Sequence, residues 1–335
     1  MKTRRLGDIE VSAIGMGCMG FTHAYGEAPE ERECIRLVHL AFEKGCTLFD
    51  TAEMYSYFRN EEFVGKALSD LPRDKVVISD KFWPSPLPGQ ETEFPDGKLS
   101  EKGIRHDIEG SLRRLRTDYI DLYIEHQMED GSEEAVAEVM GKLIKEGKIR
   151  AWGQSSSTVE QIRRANAVTP ISAIQSEYSM MERKWERDVL PLCRELGIGF
   201  MAFSPMGNGF LSGKYSPKDE FRGNDVRRVI TRFSKENMER NAPLLELVGR
   251  FAAEKGCTNA QVALAWVLLY GDFVVPIPGM RREERIAENL GAADVTLSDG
   301  EYAAINAALG GITVYGDRDG KDIRKLGTVP GNVVR

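Results

Sequence analysis

The 335-residue chain is predicted to fold as an α/β protein, a closed (β/α)8 TIM barrel, on three observations. Short β-rich runs alternate with longer amphipathic stretches along the chain, the pattern of a parallel sheet covered by helices. About eight such units can be counted. No Gly/Ser-rich linker or composition break separates one half from the other. Length alone would favour two domains at roughly 150 residues each. The eight units without a linker favour one domain over residues 1–335 instead, with a core at about 4–309 and a polar, glycine-rich tail at 310–335.

The elements follow in order. TRRL, a turn at Gly7 and Asp8, and IEVS form a small N-terminal hairpin. AIGMG is the next strand. Residues 30–44 place Ile35, Val38, Ala41 and Phe42 at helical spacing, and Gly45 stands where a C-terminal cap glycine belongs. TLFD is a strand, and NEEFVGKAL is a helix with Asn60 as its candidate cap. VVISDK is a strand. Residues 83–97, rich in Pro and Gly, must be a loop. Ser100 starts a helix that runs through Arg116, and YIDLYIEH follows as a strand. Helix EEAVAEVMGKLIKEG precedes strand KIRAWGQS, helix STVEQIRRANAV precedes SAIQSEY, and helix ERDVLPLCRELG precedes IGFMAFS. After a long insertion come helices at 238–254 and 259–270, strand DFVVPIP, and helices at 282–289 and 299–309. The GMGCMG of residues 15–20 has dinucleotide-fingerprint spacing, but no helix opens there, so an open Rossmann sheet is disfavoured.

Composition narrows the function classes. Charged residues sum to 45 − 52 = −7, which argues against a generic nucleic-acid surface. The longest apolar runs are about a dozen residues, short of the ~20 that a membrane-spanning helix needs. The charged N-terminus MKTRRLGDIEVSAIG does not read as a signal peptide. Five scattered cysteines without a C-x-x-C pair fit reduced thiols, hence a cytoplasmic setting. The four histidines are dispersed, so no metal site is expected.

In such a barrel the chemistry sits at the C-terminal strand ends. Asp50 and then Tyr55 follow TLF, Lys81 ends VVISDK, and His126 follows DLYIE. A tyrosine is a poor acid or base at neutral pH. A neighbouring ammonium lowers its pKa, a carboxylate holds that ammonium in place, and a histidine orients a carbonyl.

These residues, with LFDTAEMY, VVISDKF, DLYIEH, GQSS, AIQSEYS, FMAFSPMGNGFLSGKY and IPGMRREERIAENLGA in order, closely resemble the aldo-keto reductases, in their potassium-channel β-subunit-like and bacterial branch. The resemblance runs from Arg4 to about Leu309. It implies a (β/α)8 barrel with a hairpin at its base, loop insertions at its catalytic face, and a catalytic tetrad of Asp50, Tyr55, Lys81 and His126. It implies NADPH (NADP+) as cofactor and reduction of an aldehyde or ketone to an alcohol, an oxidoreductase acting on CH–OH donors, with Tyr55 as general acid.

The resemblance also implies the cofactor's contacts. Gly17, Cys18, Met19 and Asp50 lie near the nicotinamide, whose carboxamide is held by Ser155, Ser156 and Gln175. Phe203 stacks on its ring, where the family more often has tyrosine. Ser204, Pro205, Met206, Gly207 and Asn208 form a loop for the pyrophosphate, and Lys214 adds a cation. In the cofactor-binding turn that begins at Gly279, Arg281 and Arg285 grip the ribose 2′-phosphate and the adenine face, with Glu288 and Asn289 on the adenine. Arg suits a phosphate because its planar fork donates twice.

Phe21, Trp83 and Met128 are expected to line a pocket for a small carbonyl substrate. Neither nucleic acid nor a membrane is expected as partner, and an oligomer is possible. Two other readings stay open. One is a nicotinamide-binding regulatory scaffold with little turnover. The other is a Schiff-base enzyme using Lys81, which leaves the stretch from Arg281 to Asn289 without a purpose.

Overall fold

The computed structural model of the chain describes residues 1–87, 90 and 92–318. Strands β1 (Thr3–Leu6) and β2 (Ile9–Ser12) pair antiparallel, Leu6 opposite Ile9, as the predicted hairpin. Eight parallel strands follow: β3 (Met16–Gly17), β4 (Leu48–Asp50), β5 (Val77–Phe82), β6 (Ile120–Glu125), β7 (Ile149–Ser155), β8 (Ala173–Glu177), β9 (Gly199–Phe203) and β10 (Val274–Pro276). Each lies beside the strand next to it in sequence. The first and last then meet. Gly15 N–H donates to Pro276 O at 3.0 Å, Gly17 N–H donates to Pro278 O at 3.1 Å, and Gly17 bridges Gly279. The sheet closes as the predicted (β/α)8 barrel.

Two layers of apolar side chains hold it. Leu48, Leu122, Ala151, Ala173, Met201 and Val275 fill the interior together with Leu6 and Val11 of the hairpin. The hairpin is tied to strand beginnings by Ser12 N–H to Thr47 Oγ1 and by Arg4, which donates to Leu268, Gly271 and Val274 carbonyls. It therefore plugs the N-terminal end of the barrel. The outer faces of the strands pack against the surrounding helices in a second, larger cluster.

Those helices are α1 (Glu31–Glu43), α2 (Arg59–Leu68), α3 (Glu101–Leu115), α4 (Glu133–Lys145), α5 (Val159–Val168) and α6 (Val189–Leu196), then α7 (Lys235–Arg240), α8 (Ala242–Lys255), α9 (Asn259–Leu269), α10 (Glu283–Gly291) and α11 (Asp299–Gly310). Local signals fix several ends. Ser100 caps α3 by accepting from Gly103 N–H, and Thr158, Thr258 and Ser298 head capping boxes. Gly45, at φ +90, turns the chain after α1 while Cys46 N–H reaches back to Ala41 O.

Three expectations change. AIGMG yields only the two-residue strand Met16–Gly17. The helix expected at 238–254 is two helices meeting at Asn241; Pro243 enters the first turn of α8, where its missing N–H costs nothing. Asn60 is not a cap: α2 begins at Arg59 and Asn60 lies inside it, wholly buried.

After α11 the chain runs back over the insertion between β9 and α8. Asn241 exchanges hydrogen bonds with Tyr315 N–H and C=O at 2.9 and 3.0 Å, and Asp317 N–H donates to Thr231 Oγ1 at 2.9 Å. The remainder of the expected tail, 319–335, lies outside the described residues. No helix among the described residues is long and apolar enough to cross a membrane.

Candidate active site

The parallel register lays the ends of β4, β5 and β6 side by side, Asp50 opposite Ser79 and Phe82 opposite Glu125. That brings the four tetrad residues together. Lys81, fully buried, donates from Nζ to Asp50 Oδ1 at 2.7 Å and to Thr51 O. The other Asp50 oxygen accepts from Ser79 Oγ at 2.9 Å and from Gln175 Nε2 at 2.7 Å. Burial alone would lower the Lys81 pKa, but Asp50 and Tyr55 outweigh it and hold the ammonium above its ordinary value.

Lys81 Nζ lies 4.8 Å from the centre of the Tyr55 ring. By sequence alone this charge is expected to lower the Tyr55 pKa. Its pull is in that direction, yet burial is the larger effect and Asp50 adds to it, so the phenol ends above its ordinary value. Tyr55 is thus protonated at neutral pH and can act as an acid. The His126 ring meets the Tyr55 ring edge-on at 5.6 Å and the Trp83 ring edge-on at 5.2 Å. Burial, then the Lys81 charge, pushes His126 well below the usual imidazole range, so it is neutral. Its buried Nδ1 meets no partner among the described residues.

The Tyr55 loop is held in an uncommon shape. Ser56, Tyr57 and Phe58, none of them glycine, have φ of 51, 48 and 74. Consecutive left-handed residues persist only where the surroundings impose them. Ser56 Oγ donates to Thr22 O at 3.0 Å and Phe58 N–H to Glu53 O at 2.6 Å, and Asn60 fixes the flanking segments: its Oδ1 accepts from Thr51 Oγ1 at 2.7 Å, and its Nδ2 donates to Cys18 O at 3.0 Å and to Thr22 Oγ1 at 2.8 Å. One buried amide thus ties the loops after β3 and β4 to each other.

The expected cofactor residues trace a path over strand ends β7 to β10 and the β3 loop. Ser155, buried, is in register with Gln175; Ser156 is exposed, with φ 60 and its N–H on Gln175 O. Phe203 is half-buried at the end of β9. Beyond it Ser204, Gly207 and Asn208 all have positive φ, around buried Pro205 and half-buried Met206. Asn208 Nδ2 donates to Tyr25 Oη, while its buried Oδ1 has no partner among the described residues. Asn289, wholly buried, donates weakly to Gly279 O at 3.4 Å and likewise keeps an open Oδ1.

The charged members form a cluster. Lys214 and Arg285 both reach the Glu288 carboxylate, at 3.1 and 2.5 Å. Arg281 donates to Gly20 O and Glu27 O at 3.4 and 3.2 Å. Burial, with the Arg227 and Arg282 charges, holds its guanidinium below its ordinary value: this is a cation short of counter-charge. The open amide oxygens of Asn208 and Asn289 and the under-neutralised Arg281 fit a phosphorylated dinucleotide.

The model of the aldo/keto reductase family matches residues 13–309. The chain belongs to that family. It is 41% identical over 304 residues to the probable aldo-keto reductase 1 of Glycine max, covering 90% of this chain and 86% of the relative. A glycerol dehydrogenase from Gluconobacter oxydans shares the fold at a TM-score of 0.83 with 28% identity, over 93% of this chain and 96% of that one. An aldo/keto reductase from Klebsiella pneumoniae, solved with NADP and acetate, gives 0.71 with 30% identity, over 91% and 94%.

Against this background some expected residues shift in this aldo/keto reductase. Phe21 is 1% exposed and belongs to the helix-facing core, so it does not line a pocket. Cys18 is wholly buried, with its N–H on Asp50 O and its C=O accepting from Asn60 Nδ2. Met19 and Trp83 pack on the apolar cluster of Ala52, Met54, Tyr55 and Leu87, beside the tetrad, and Met128 is half-buried after β6.

Three further groups have no role assigned from sequence, although Glu125 is legible at its strand end. His23 lies 5.9 Å from Tyr55, its pKa lowered by burial to about 4. Lys98 and Glu53 make a fully buried ion pair at 2.5 Å, and Glu53 also accepts from Trp83 N–H at 2.7 Å. Glu125, beside His126, is wholly buried with neither carboxyl oxygen partnered among the described residues. No spacing rule links any of these in sequence.

Burial, with Glu133 and Glu129, raises the Glu125 pKa to about 8. The unfolded value is near 4.3, so between these limits the folded state binds the extra proton and stability falls as pH rises. Glu125→Gln removes this titration. Its unfolding midpoint should gain on the parent's between about pH 5 and pH 9; midpoints that stay parallel would show that Glu125 does not carry the effect.

Proposed function

We propose that this aldo/keto reductase acts as a single barrel unit that reduces an aldehyde or ketone to the alcohol with NADPH. The observation that carries the reading is the buried Asp50–Lys81 pair set against a protonated Tyr55 and a neutral His126 at one end of the barrel. NADPH, when bound, supplies the hydride that the protein itself lacks. Tyr55 donates its phenolic proton to the carbonyl oxygen. Lys81 stabilises the phenolate left behind, and Asp50 fixes Lys81 in place. His126 positions the oxygen as a neutral hydrogen-bonding group, and Trp83, Met19 and Met128 shape the entrance.

Ser155, Ser156 and Gln175 would hold the nicotinamide carboxamide, Phe203 its ring, residues 204–208 the pyrophosphate, and Arg281, Arg285, Glu288 and Asn289 the adenosine end, with Lys214 across from Glu288. Oxidation of NADPH followed by absorbance over a panel of aldehydes and ketones tests the reading; no consumption with any carbonyl would overturn it. Arg281→Ala and Arg285→Ala should each raise the KM for NADPH about 10- to 100-fold, the range for losing a charge-assisted hydrogen bond, and change the NADH value much less. Equal effects on both cofactors would remove the 2′-phosphate role.

A further inference from the structure

Arg318, eighth residue after α11, stands over the catalytic face. Its guanidinium carbon is 4.8 Å from the centre of the Phe203 ring at the end of β9. The approach is fixed by the segment that carries it. Asn241 pins Tyr315 on both sides of its peptide, the Arg240 guanidinium lies 3.5 Å over the Tyr315 ring, and Asp317 is bound to Thr231. Gly316, at φ +76, lets the chain pass where a Cβ would lie 2.6 Å from the Arg232 nitrogen. The arginine is delivered by a stapled strap.

Among the described residues its charge is unanswered. Two neighbouring arginines have acids: Arg227 pairs with Asp225 at 2.5 Å, and Arg232 with Glu177 at 2.7 Å. Arg318 has no ion-pair partner among the described residues, and its buried Nε donates to nothing there. A half-buried guanidinium without a counterion is costly unless a ligand completes it. The same charge is felt by Tyr55 and by His126, which places it within reach of the reacting centre.

We propose that Arg318 is a specificity-determining residue that receives a carboxylate on the carbonyl substrate. One planar fork matches one carboxylate in charge and geometry, whereas a phosphate dianion calls for more than one cation. Trp83, Met19 and Met128 accommodate the apolar body between the two ends of such a substrate. The inference rests on the carbonyl-reductase reading and adds its substrate class.

The test compares 4-carboxybenzaldehyde with its neutral methyl ester in the NADPH-loaded enzyme. Arg318→Met should lower the ratio of their kcat/KM values about 10- to 100-fold, chiefly through the KM of the acid, and Arg318→Lys should restore part of it. Benzoate binding in the presence of NADP+, followed by calorimetry, should weaken by a similar factor and needs no turnover. Turnover of neither aldehyde would leave the reductase reading to the full carbonyl panel, while the benzoate comparison would still decide the arginine's role. An unchanged ratio with unchanged benzoate affinity would overturn the proposal. So would equal changes for both aldehydes with tighter NADPH binding, which would mean that the guanidinium competes with the cofactor for the Phe203 face.

Discussion

Tyr55→Phe should lower carbonyl turnover by about 10²- to 10⁴-fold, the range for proton transfer by a positioned side chain, with NADPH affinity nearly unchanged. The substitution removes one oxygen and keeps the ring, so the contacts with Ala52, Met54 and Leu87 survive, as does the Lys81 charge over the ring face. The left-handed turn at residues 56–58 is held by Ser56 Oγ on Thr22 O and Phe58 N–H on Glu53 O, neither of which uses the Tyr55 hydroxyl, so it is kept. What disappears is the proton that burial holds on the phenol. Steady-state kinetics beside a fluorescence titration with NADPH separates the two quantities. A kcat within tenfold of the parent's would take the acid role away from Tyr55.

Lys98→Met should destabilise the fold by about 3–5 kcal/mol, the cost of leaving a buried charge without its partner. Lys98 is the cation between two buried acids, Glu53 at 2.5 Å and Asp107 at 3.5 Å. Burial, with Glu53 nearby, already pushes the Asp107 pKa up to about 9, and Lys98 opposes this. Removing the ammonium leaves a pair of carboxyls facing each other in an apolar setting. It also frees Glu53, the acceptor for Trp83 N–H, so the wall beside His126 should loosen and substrate KM should rise. The triple variant Lys98→Met, Glu53→Gln, Asp107→Asn should recover much of the loss, since it buries no uncompensated charge. Urea unfolding of both proteins checks this. A loss under about 1 kcal/mol for the single variant would show that the pair is not a structural tie.

The barrel was legible because its signals are local or periodic. Ser100, Thr158 and Gly45 announce helix ends through their own side chains or their lack of one, and the structure uses them so. The tetrad was legible for a related reason: strand ends of a parallel sheet converge whatever the intervening sequence. What failed depends on distant partners. Asn60 looks like a cap and acts as a clamp because Thr51, Cys18 and Thr22 come to it from two loops. Phe21 looks like a pocket aromatic until helix packing encloses it. The sign of the net Tyr55 shift could not be read, since burial competes with Lys81 and only the fold sets how deep the phenol lies. Arg318 carries no motif at all; only the Asn241 and Thr231 staples bring it to Phe203.

The hairpin of Leu6 and Val11 closes one end of the barrel and leaves the other as the way in. A vessel with a floor and one mouth makes its visitors queue. Whatever settles deepest must arrive first and leave last, and whatever lies above it must clear the doorway before an exchange below. The order of exchange at that mouth is thus written into two four-residue strands at the start of the chain, as far from Asp50 and Lys81 as the barrel allows.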